Sequence, residues 1–249
     1  MRNLSVSESI SQGWELAKKN GLLLAVFVLV IGIITNLLSS FTLPSGFMDS
    51  YTKALTQNDP DAMMQLLNSS SASAASIIVS IIQTVVYVLF LAGFCATILK
   101  LTRGLMAKVS LDGFKMSAMT YLKFFAVSIL VGLAVGIGTA LCVIPGIFLA
   151  VRLGFAEWYI LDHPEAGIGE ALSASWKMTK GNFWSVLGLM LAEIGIIILG
   201  YICCCIGVLF AIPFAYFAES SAYMMLQENL AYENLDYAAP ANEYQKDEH

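Results

Sequence analysis

Four ionisable side chains lie inside long apolar runs, where a charge is energetically costly and therefore informative. They are Arg152, Glu157, Glu193 and Glu219. A charge at the centre of a membrane-spanning helix costs about 2.5–3.5 kcal/mol even on the lenient insertion scale, so these residues should face the protein interior and find partners there. Two interpretations are open: Arg152 forms a structural ion pair with Glu193 or Glu219, or the two glutamates form a polar site or proton path.

The positions of these residues in their runs predict how deep they lie. At about 1.5 Å per helical residue, Glu193 is about 15 Å from the cytoplasmic end of its span. By the same rise, Glu219 is about 18 Å from the outer end of the next span, so both glutamates should lie near the midplane. Arg152 should lie about 10 Å from the outer face, and Glu157 near the cytoplasmic end of the same span. Pro213 predicts a kink that would free a carbonyl group to line a polar site.

The runs themselves predict an all-α membrane protein. Of 249 residues, 58% are hydrophobic and 12% are charged, and the mean hydropathy is +0.75. Ordinary soluble domains carry about 25% charged residues. Since a hydrocarbon core of about 30 Å requires about 20 helical residues, residues 1–226 are expected to form a single domain with six spans. The predicted spans are 21–41, 75–99, 124–143, 145–161, 183–206 and 207–226.

The distribution of basic residues predicts the orientation of these spans. Eleven lysines and arginines fall on the side that carries both termini and the connections at 100–123 and 162–182, against Lys53 alone on the other side. Since cytoplasmic loops are enriched in lysine and arginine, both termini are expected in the cytoplasm. Residues 227–249 are acidic and are predicted to form a flexible cytoplasmic tail. The sequence contains no basic tract of the kind that binds nucleic acid, so no nucleic-acid partner is expected.

A phrase near the N-terminus is repeated before the fifth span. At a constant offset of 162 residues, five identities align: Glu8 with Glu170, Ser11 with Ser173, Trp14 with Trp176, Lys18 with Lys180 and Asn20 with Asn182. Tryptophan and lysine at helical spacing are typical of an amphipathic helix at headgroup depth. In the first copy, the predicted apolar stripe comprises Val6, Ile10, Trp14 and Ala17.

These copies predict the arrangement of the fold as three two-span hairpins, each preceded by a cytoplasmic interfacial helix. A third, weaker copy is predicted at 110–123. The alternative is that any interfacial helix favours tryptophan and lysine, without a repeat. The predicted interfacial anchors are Trp14, Lys18, Asn20, Trp176, Lys180, Asn182 and Trp184. For the two asparagines, capping the following span is the first hypothesis and a partner contact the second.

The remaining residues indicate neither catalysis nor a cofactor. No G-x-S-x-G, H-E-x-x-H, phosphate-binding loop or dinucleotide fingerprint occurs, and no metal site is expected. The five cysteines lie in apolar stretches without C-x-x-C spacing, so packing is their expected role. A disulfide between Cys142 and the Cys203–Cys205 run is a weaker alternative. Gly132, Gly136 and Ala140 have the spacing that permits close helix packing.

Residues 145–184, PGIFLAVRLGFAEWYILDHPEAGIGEALSASWKMTKGNFW, resemble the central signature of a family of uncharacterised bacterial six-span membrane proteins. That family is similar to the membrane domain attached to some glycerophosphodiester phosphodiesterases. Its pattern is a Pro-Gly turn, a span with an internal arginine, an acidic loop, and a helix of the form EAL..SW..TKGN.W that leads into the next span. The resemblance implies a bacterial inner-membrane location. It implies no catalysis, since the soluble phosphodiesterase domain is not part of this sequence.

Two functions are therefore expected as alternatives. The first is a non-enzymatic accessory or scaffold protein of the bacterial envelope, which contacts the lipid bilayer and a membrane protein partner or a second copy of itself. The second is a transporter or channel for a small solute or ion that uses Arg152, Glu193 and Glu219.

Overall fold

The structure, a computed structural model, describes residues 4–40, 52, 56, 74–202 and 206–238, and the regular elements in these ranges are all helical. In chain order they are α1 (Val6–Ser40), α2 (Ala74–Thr102), a 3₁₀ turn (Leu111–Phe114), α3 (Ala118–Leu141), α4 (Val143–Leu153), α5 (Ala156–Asp162), α6 (Ile168–Met178), α7 (Phe183–Ile202) and α8 (Ile206–Ala238). Three parts of the chain lie outside the described residues: nearly all of residues 42–74, which join the first two predicted spans, the run Cys203–Cys205 of the alternative disulfide, and residues 239–249.

Six helical stretches among these residues are long and apolar enough to cross a membrane. They are Val6–Leu38, Ile77–Thr102, Ala118–Leu141, Val143–Asp162, Phe183–Ile202 and Gly207–Glu228. Each has at least the length of about 20 residues that a bilayer core requires. The prediction of an all-α, multi-pass membrane protein is therefore confirmed at the level of length and composition.

The chain divides into two compact units. One comprises Met1–Val28 and Leu91–His249, and the other comprises Leu29–Phe90. In the second unit, the described helical residues expose many apolar side chains, such as Leu37 and Ile81. The first unit contains a dense core, formed by residues 92–99 of α2 together with Phe124, Ile160, Leu189, Phe217 and Tyr223.

The predicted N-terminal surface helix and the first span are one continuous helix, α1. The buried residues of its first half include Ser9, Gly13, Asn20 and Leu24. They do not coincide with the predicted apolar stripe, whose Trp14 is 51% exposed. The physical reason is close packing, since a Cβ at Gly13 would lie 2.7 Å from the backbone nitrogen of Ala218 in α8. Small side chains let two helices approach this closely.

The third predicted surface helix, at 110–123, is not formed. A 3₁₀ turn precedes α3, and α3 begins at Ala118 after its N-cap residue Ser117. The Ser117 hydroxyl accepts the Thr120 N–H at 3.1 Å, as serine commonly does at a helix start. In this part of the chain, the predicted pattern of a surface helix before each hairpin is wrong.

The second copy of the phrase does form a short amphipathic helix, α6. Its buried residues are Ala171, Ala174, Ser175 and Met178. Beyond α6, the chain turns at Gly181, where φ is +82°. Glycine adopts this left-handed conformation without a steric cost. The aligned position in the first copy is Lys19, and there the helix continues. The two copies of the phrase therefore differ in backbone conformation at this position.

The fourth span is interrupted between α4 and α5. Ser175 in α6 hydrogen-bonds the backbone groups at the break: its hydroxyl donates to the Arg152 carbonyl at 2.8 Å and accepts the Phe155 N–H at 3.2 Å. Non-helical backbone at membrane depth is tolerated where protein groups satisfy it in this way. These bonds fix α6 beside the break and bring Trp176 next to Arg152.

The α3–α4 hairpin packs through glycines other than the predicted ones. Around Gly132 and Gly136, no described atom lies within 4 Å of the Cβ position, so their predicted packing role is not fulfilled within the described chain. Instead, a Cβ at Gly146 would lie 2.8 Å from the backbone nitrogen of Thr139. Gly146 is thus the residue that lets α4 turn back directly against α3.

Candidate functional site

Three of the four predicted intramembrane residues converge in the first unit. Glu157 lies on α5, Glu193 on α7 and Glu219 on α8, and Glu219 interacts electrostatically with both of the others. The Glu219 carboxyl group also hydrogen-bonds the side chain of Trp158. We call these three residues the carboxyl cluster.

Arg152, the fourth predicted residue, does not join the carboxyl cluster. Its guanidinium lies beside the contacting rings of Phe148 and Trp176, with its central carbon 5.4 and 5.3 Å from their centroids. Among the described residues it forms no ion pair, and its buried Nε and Nη1 have no hydrogen-bond partner. The predicted ion pair with Glu193 or Glu219 is therefore absent, and the groups that stabilise the cation are two adjacent aromatic rings.

The position of Arg152 also conflicts with its predicted depth. Sequence reasoning places it about 10 Å from the outer face and places Trp176 at the cytoplasmic headgroups. The guanidinium and the indole are in contact, so the two predicted depths cannot both be right. The source of the conflict is the break after α4, where α6 packs back along the fourth span.

The carboxyl cluster lacks a cationic partner within the described part of the chain. The Glu193 Oε1 atom is buried and has no hydrogen-bond partner among the described residues. Uncompensated charges in an apolar interior cost several kcal/mol each, so carboxyl groups in this setting suit the exchange of protons or of a small cation. No group of three His, Cys, Asp or Glu in the described ranges has the geometry to hold a metal ion.

The predicted interfacial anchors lie mostly at the surface. Trp14, Trp176 and Trp184 are 51%, 41% and 79% exposed. Lys18 and Lys180 are exposed as well, and the Lys18 ammonium lies 5.9 Å from the centroid of the Trp14 ring. Exposed tryptophans close to lysines are typical of residues at headgroup depth.

Asn20 and Asn182, which the repeat aligns, make different contacts although both are buried. The Asn182 Oδ1 accepts the Leu4 backbone N–H at 2.9 Å. The Asn20 Nδ2 donates to the Leu16 carbonyl of its own helix at 3.5 Å. Asn182 therefore fixes the start of α1 to the start of α7, and neither side chain caps the helix that follows it.

A polar network that sequence reasoning missed joins the ends of α2 and α5 to the interior of α8. Arg103 forms an ion pair with Asp162 and donates to the Gln227 Oε1 at 2.6 Å. The Asp162 side chain is 4% exposed and also accepts from the Tyr223 hydroxyl at 2.9 Å and the Gln227 Nε2 at 2.8 Å. The available signal was the i, i+4 spacing of Tyr223 and Gln227, which places them on one helix face.

The first residue of the predicted flexible tail takes part in this network. Gln227 donates to Asp162, and α8 continues to Ala238.

The fold and the carboxyl cluster define the class of protein as an α-helical multi-pass membrane protein with ionisable groups among its spanning helices. Comparison of the chain with protein-family models, curated proteins and solved structures found no match. The resemblance of residues 145–184 to a bacterial membrane protein family stays a prediction.

Proposed function

We propose that the chain is a non-enzymatic accessory or scaffold protein of the bacterial inner membrane, with both termini in the cytoplasm. In this proposal, it binds anionic lipid headgroups and membrane partners through the basic connections at 100–123 and 162–182. The observation that supports it is that side-chain bonds hold these two connections in fixed positions. The distribution of lysine and arginine supports the orientation.

Lys123 and Arg103 provide the main fixing contacts. The Lys123 Nζ, in α3, donates to three successive carbonyl oxygens, those of Pro164 at 2.7 Å, Glu165 at 3.3 Å and Ala166 at 2.8 Å. The ion pair of Arg103 with Asp162 joins one connection to the other. A surface that is ordered before binding loses less conformational entropy on binding, so such contacts favour recognition.

The side chains on this surface suit an anionic membrane. Trp176, Lys177, Lys180 and Trp184 follow one another along the chain and are all exposed. A lysine near an anionic membrane surface contributes about 1 kcal/mol to binding, and tryptophan prefers headgroup depth. The combination anchors a helix end and attracts anionic lipid at the same place.

Selectivity for anionic lipid tests this proposal. In vesicles of phosphatidylglycerol and phosphatidylcholine, electron paramagnetic resonance of spin-labelled lipids reports which headgroup is retained beside the protein. We expect a preference for phosphatidylglycerol that falls with added salt and is largely lost in the double variant Lys177→Gln/Lys180→Gln. A wild-type protein without such a preference, or a double variant that keeps it, contradicts the proposal.

Transport of protons or a small cation is the second candidate function, and the carboxyl cluster without a cationic partner favours it. In vesicles that contain a pH-sensitive dye, transport predicts a proton or sodium flux that Glu193→Gln/Glu219→Gln abolishes. Glu165→Gln, an exposed carboxylate outside the cluster, is the matched control and should keep the flux. A flux that both variants share equally, or no flux in the wild type, rejects this candidate.

A further inference from the structure

A cavity of about 400 Å³ lies in the first unit between the end of α2 and the start of α3. Its volume falls in the range of about 300–1,000 Å³ that is typical of small-molecule sites. Its polar lining consists of Lys100, Arg103, Lys115, Ser117, Thr120 and Asp162, and the other lining side chains are apolar. The cavity therefore offers an amphiphilic environment with several cationic groups.

The charge of this cavity is positive. Three lining residues are cationic and one is anionic, which gives a net charge of +2 (3 − 1). The neighbouring Asp112 reduces this to +1 (3 − 2). Since Asp162 pairs with Arg103 and Asp112 pairs with Lys115, the unpaired positive charge is that of Lys100, and a ligand competes with Asp112 for Lys115.

Asp112 positions both of these lysines. Its carbonyl oxygen accepts the Lys100 Nζ at 2.9 Å, and its carboxylate pairs with the Lys115 Nζ at 2.7 Å. Hydrogen bonds from Lys115 and Ser110 lower the pKa of the Asp112 carboxyl group, and the bond to Asp112 raises the pKa of Lys115. Both groups stay ionised near neutral pH, and both side chains are exposed, so a ligand can reach them.

The 3₁₀ turn that carries Asp112 is fixed against α2. A Cβ at Gly113 would lie 1.9 Å from the Thr97 Oγ1, and one at Gly93 would lie 2.1 Å from the ring of Phe114. Glycines at both positions therefore let the turn press onto the helix. The lysines are held over the cavity by a packed element of the fold.

The start of α3 adds to the positive potential. Ser117 and Thr120, in its N-cap and first turn, line the cavity, and α3 has 24 residues. The N-terminus of a helix carries a partial positive charge, and with its N–H groups it favours phosphate and other anions.

We propose that this cavity binds a phosphate-bearing anion, either the headgroup of an anionic phospholipid or a soluble phosphate ester. Lysine ammonium groups, hydroxyl groups and a helix N-terminus together suit the oxygens of a phosphate. The apolar part of the lining suits the glycerol and first methylene groups of a lipid. The proposal rests on the proposed function in placing this face at the membrane surface.

Two probes and three variants test the proposal on the purified full-length chain. Native mass spectrometry counts bound dioleoyl phosphatidylglycerol, and calorimetry measures inorganic phosphate. We expect Lys115→Gln to weaken binding about five-fold and Asp112→Asn, which removes the opposing charge, to strengthen it about three-fold. Lys108→Gln lies on the same connection outside the lining and should change binding by less than about two-fold.

The results distinguish three cases: a lipid headgroup in the cavity, a soluble phosphate ester in the cavity, and no phosphate site there. The expected pattern with phosphatidylglycerol alone assigns a lipid headgroup, and the same pattern with inorganic phosphate alone assigns a soluble ester. A gain in Asp112→Asn cannot arise from unfolding. Equal affinities of Lys115→Gln and Lys108→Gln for both probes, or no binding to the wild type, overturn the proposal. That result leaves the lipid selectivity of Lys177 and Lys180 unaffected, because it is measured on other variants.

Discussion

At the scale of single residues, Arg152 shows how a cation is accommodated in an apolar region without a carboxylate. The rings of Phe148 and Trp176 present their negative faces to the guanidinium, and a desolvated contact of this kind contributes about 2 kcal/mol. The cost of burial predicts that a buried arginine has a partner. It does not predict which partner, since aromatic rings and carboxylates both serve, and the sequence contains both. Arg152 was therefore identifiable from the sequence, whereas its environment was not.

Replacing Trp176 tests the contribution of these rings. We expect Trp176→Leu to lower the free energy of unfolding by about 2 kcal/mol, because it removes the cation–π contact and the edge contact with Phe148. Trp184→Leu, eight residues on and 79% exposed, should change it by less than about 0.5 kcal/mol. Unfolding in mixed micelles at increasing fractions of denaturing detergent measures both values. Equal losses in the two variants would show that Arg152 does not depend on Trp176.

At the scale of helices, the existence of the spans was predictable and their ends and buried faces were not. Length and composition suffice to show that a run can cross a bilayer. Where a helix ends depends on single residues, as the turn at Gly181 shows beside the unbroken helix at Lys19. The face that α1 buries depends on its neighbour, because only a residue as small as Gly13 fits against the backbone of Ala218. Hydrophobic periodicity does not detect such a face.

Two glycines of α1 make this argument testable. Gly13→Ala places a methyl group against the backbone of α8, so we expect the free energy of unfolding to fall by about 1–3 kcal/mol. Gly32→Ala, in the same helix, meets no described atom within 4 Å. It should be neutral or stabilise by up to about 1 kcal/mol, because alanine favours the helix. The same unfolding measurement decides, and a Gly13→Ala variant as stable as Gly32→Ala would contradict the close contact.

The 3₁₀ turn should respond to acid in a defined range. The pKa of Asp112 is lowered in the folded chain by its bonds from Lys115 and Ser110. Its stabilising contribution is therefore complete above the unfolded pKa of about 3.9 and is lost as the pH falls through the lower folded value. We expect hydrogen exchange of residues 110–116, corrected for intrinsic rates, to show constant protection from about pH 8 to pH 5 and a loss only below about pH 4. Asp112→Asn should lack this transition, and a midpoint near pH 6 would assign it to another group.

At the scale of the whole molecule, the first unit contains two polar groupings, the carboxyl cluster and the Arg103 network, and they differ in how their charges are compensated. The network pairs a cation with Asp162, and the same carboxylate oxygen, Oδ2, also accepts hydrogen bonds from Tyr223 and Gln227. The cluster gathers three carboxyl groups with no described cation. The cost of burial predicts that the glutamates face the protein interior, and Glu219 interacts with both Glu157 and Glu193. The network could not be predicted, because its residues come from three separate segments of the chain.

Labelling of single cysteines tests the predicted orientation of the spans. In a variant whose own cysteines are replaced by alanine, we expect Lys108→Cys to react with a membrane-impermeant maleimide only after the cells are opened. Ile144→Cys, at the exposed turn between α3 and α4, should react in intact cells, because α3 is long enough to cross the bilayer. Labelling of both positions from the same side would show that α3 does not cross.

The bond from Leu4 to Asn182 and the contact of Gly13 with Ala218 have a consequence for biogenesis. About 200 residues separate Gly13 from Ala218, and at about 5–20 residues per second their synthesis takes roughly 10–40 seconds. During this interval, α1 lacks its neighbours in α7 and α8, and the buried Ser9 lacks its partner Met225. Closure of the fold by its first helix is therefore a late event. A chain that ends before residue 182 keeps the contact of Phe27 with Phe114 but lacks both of these later contacts of α1.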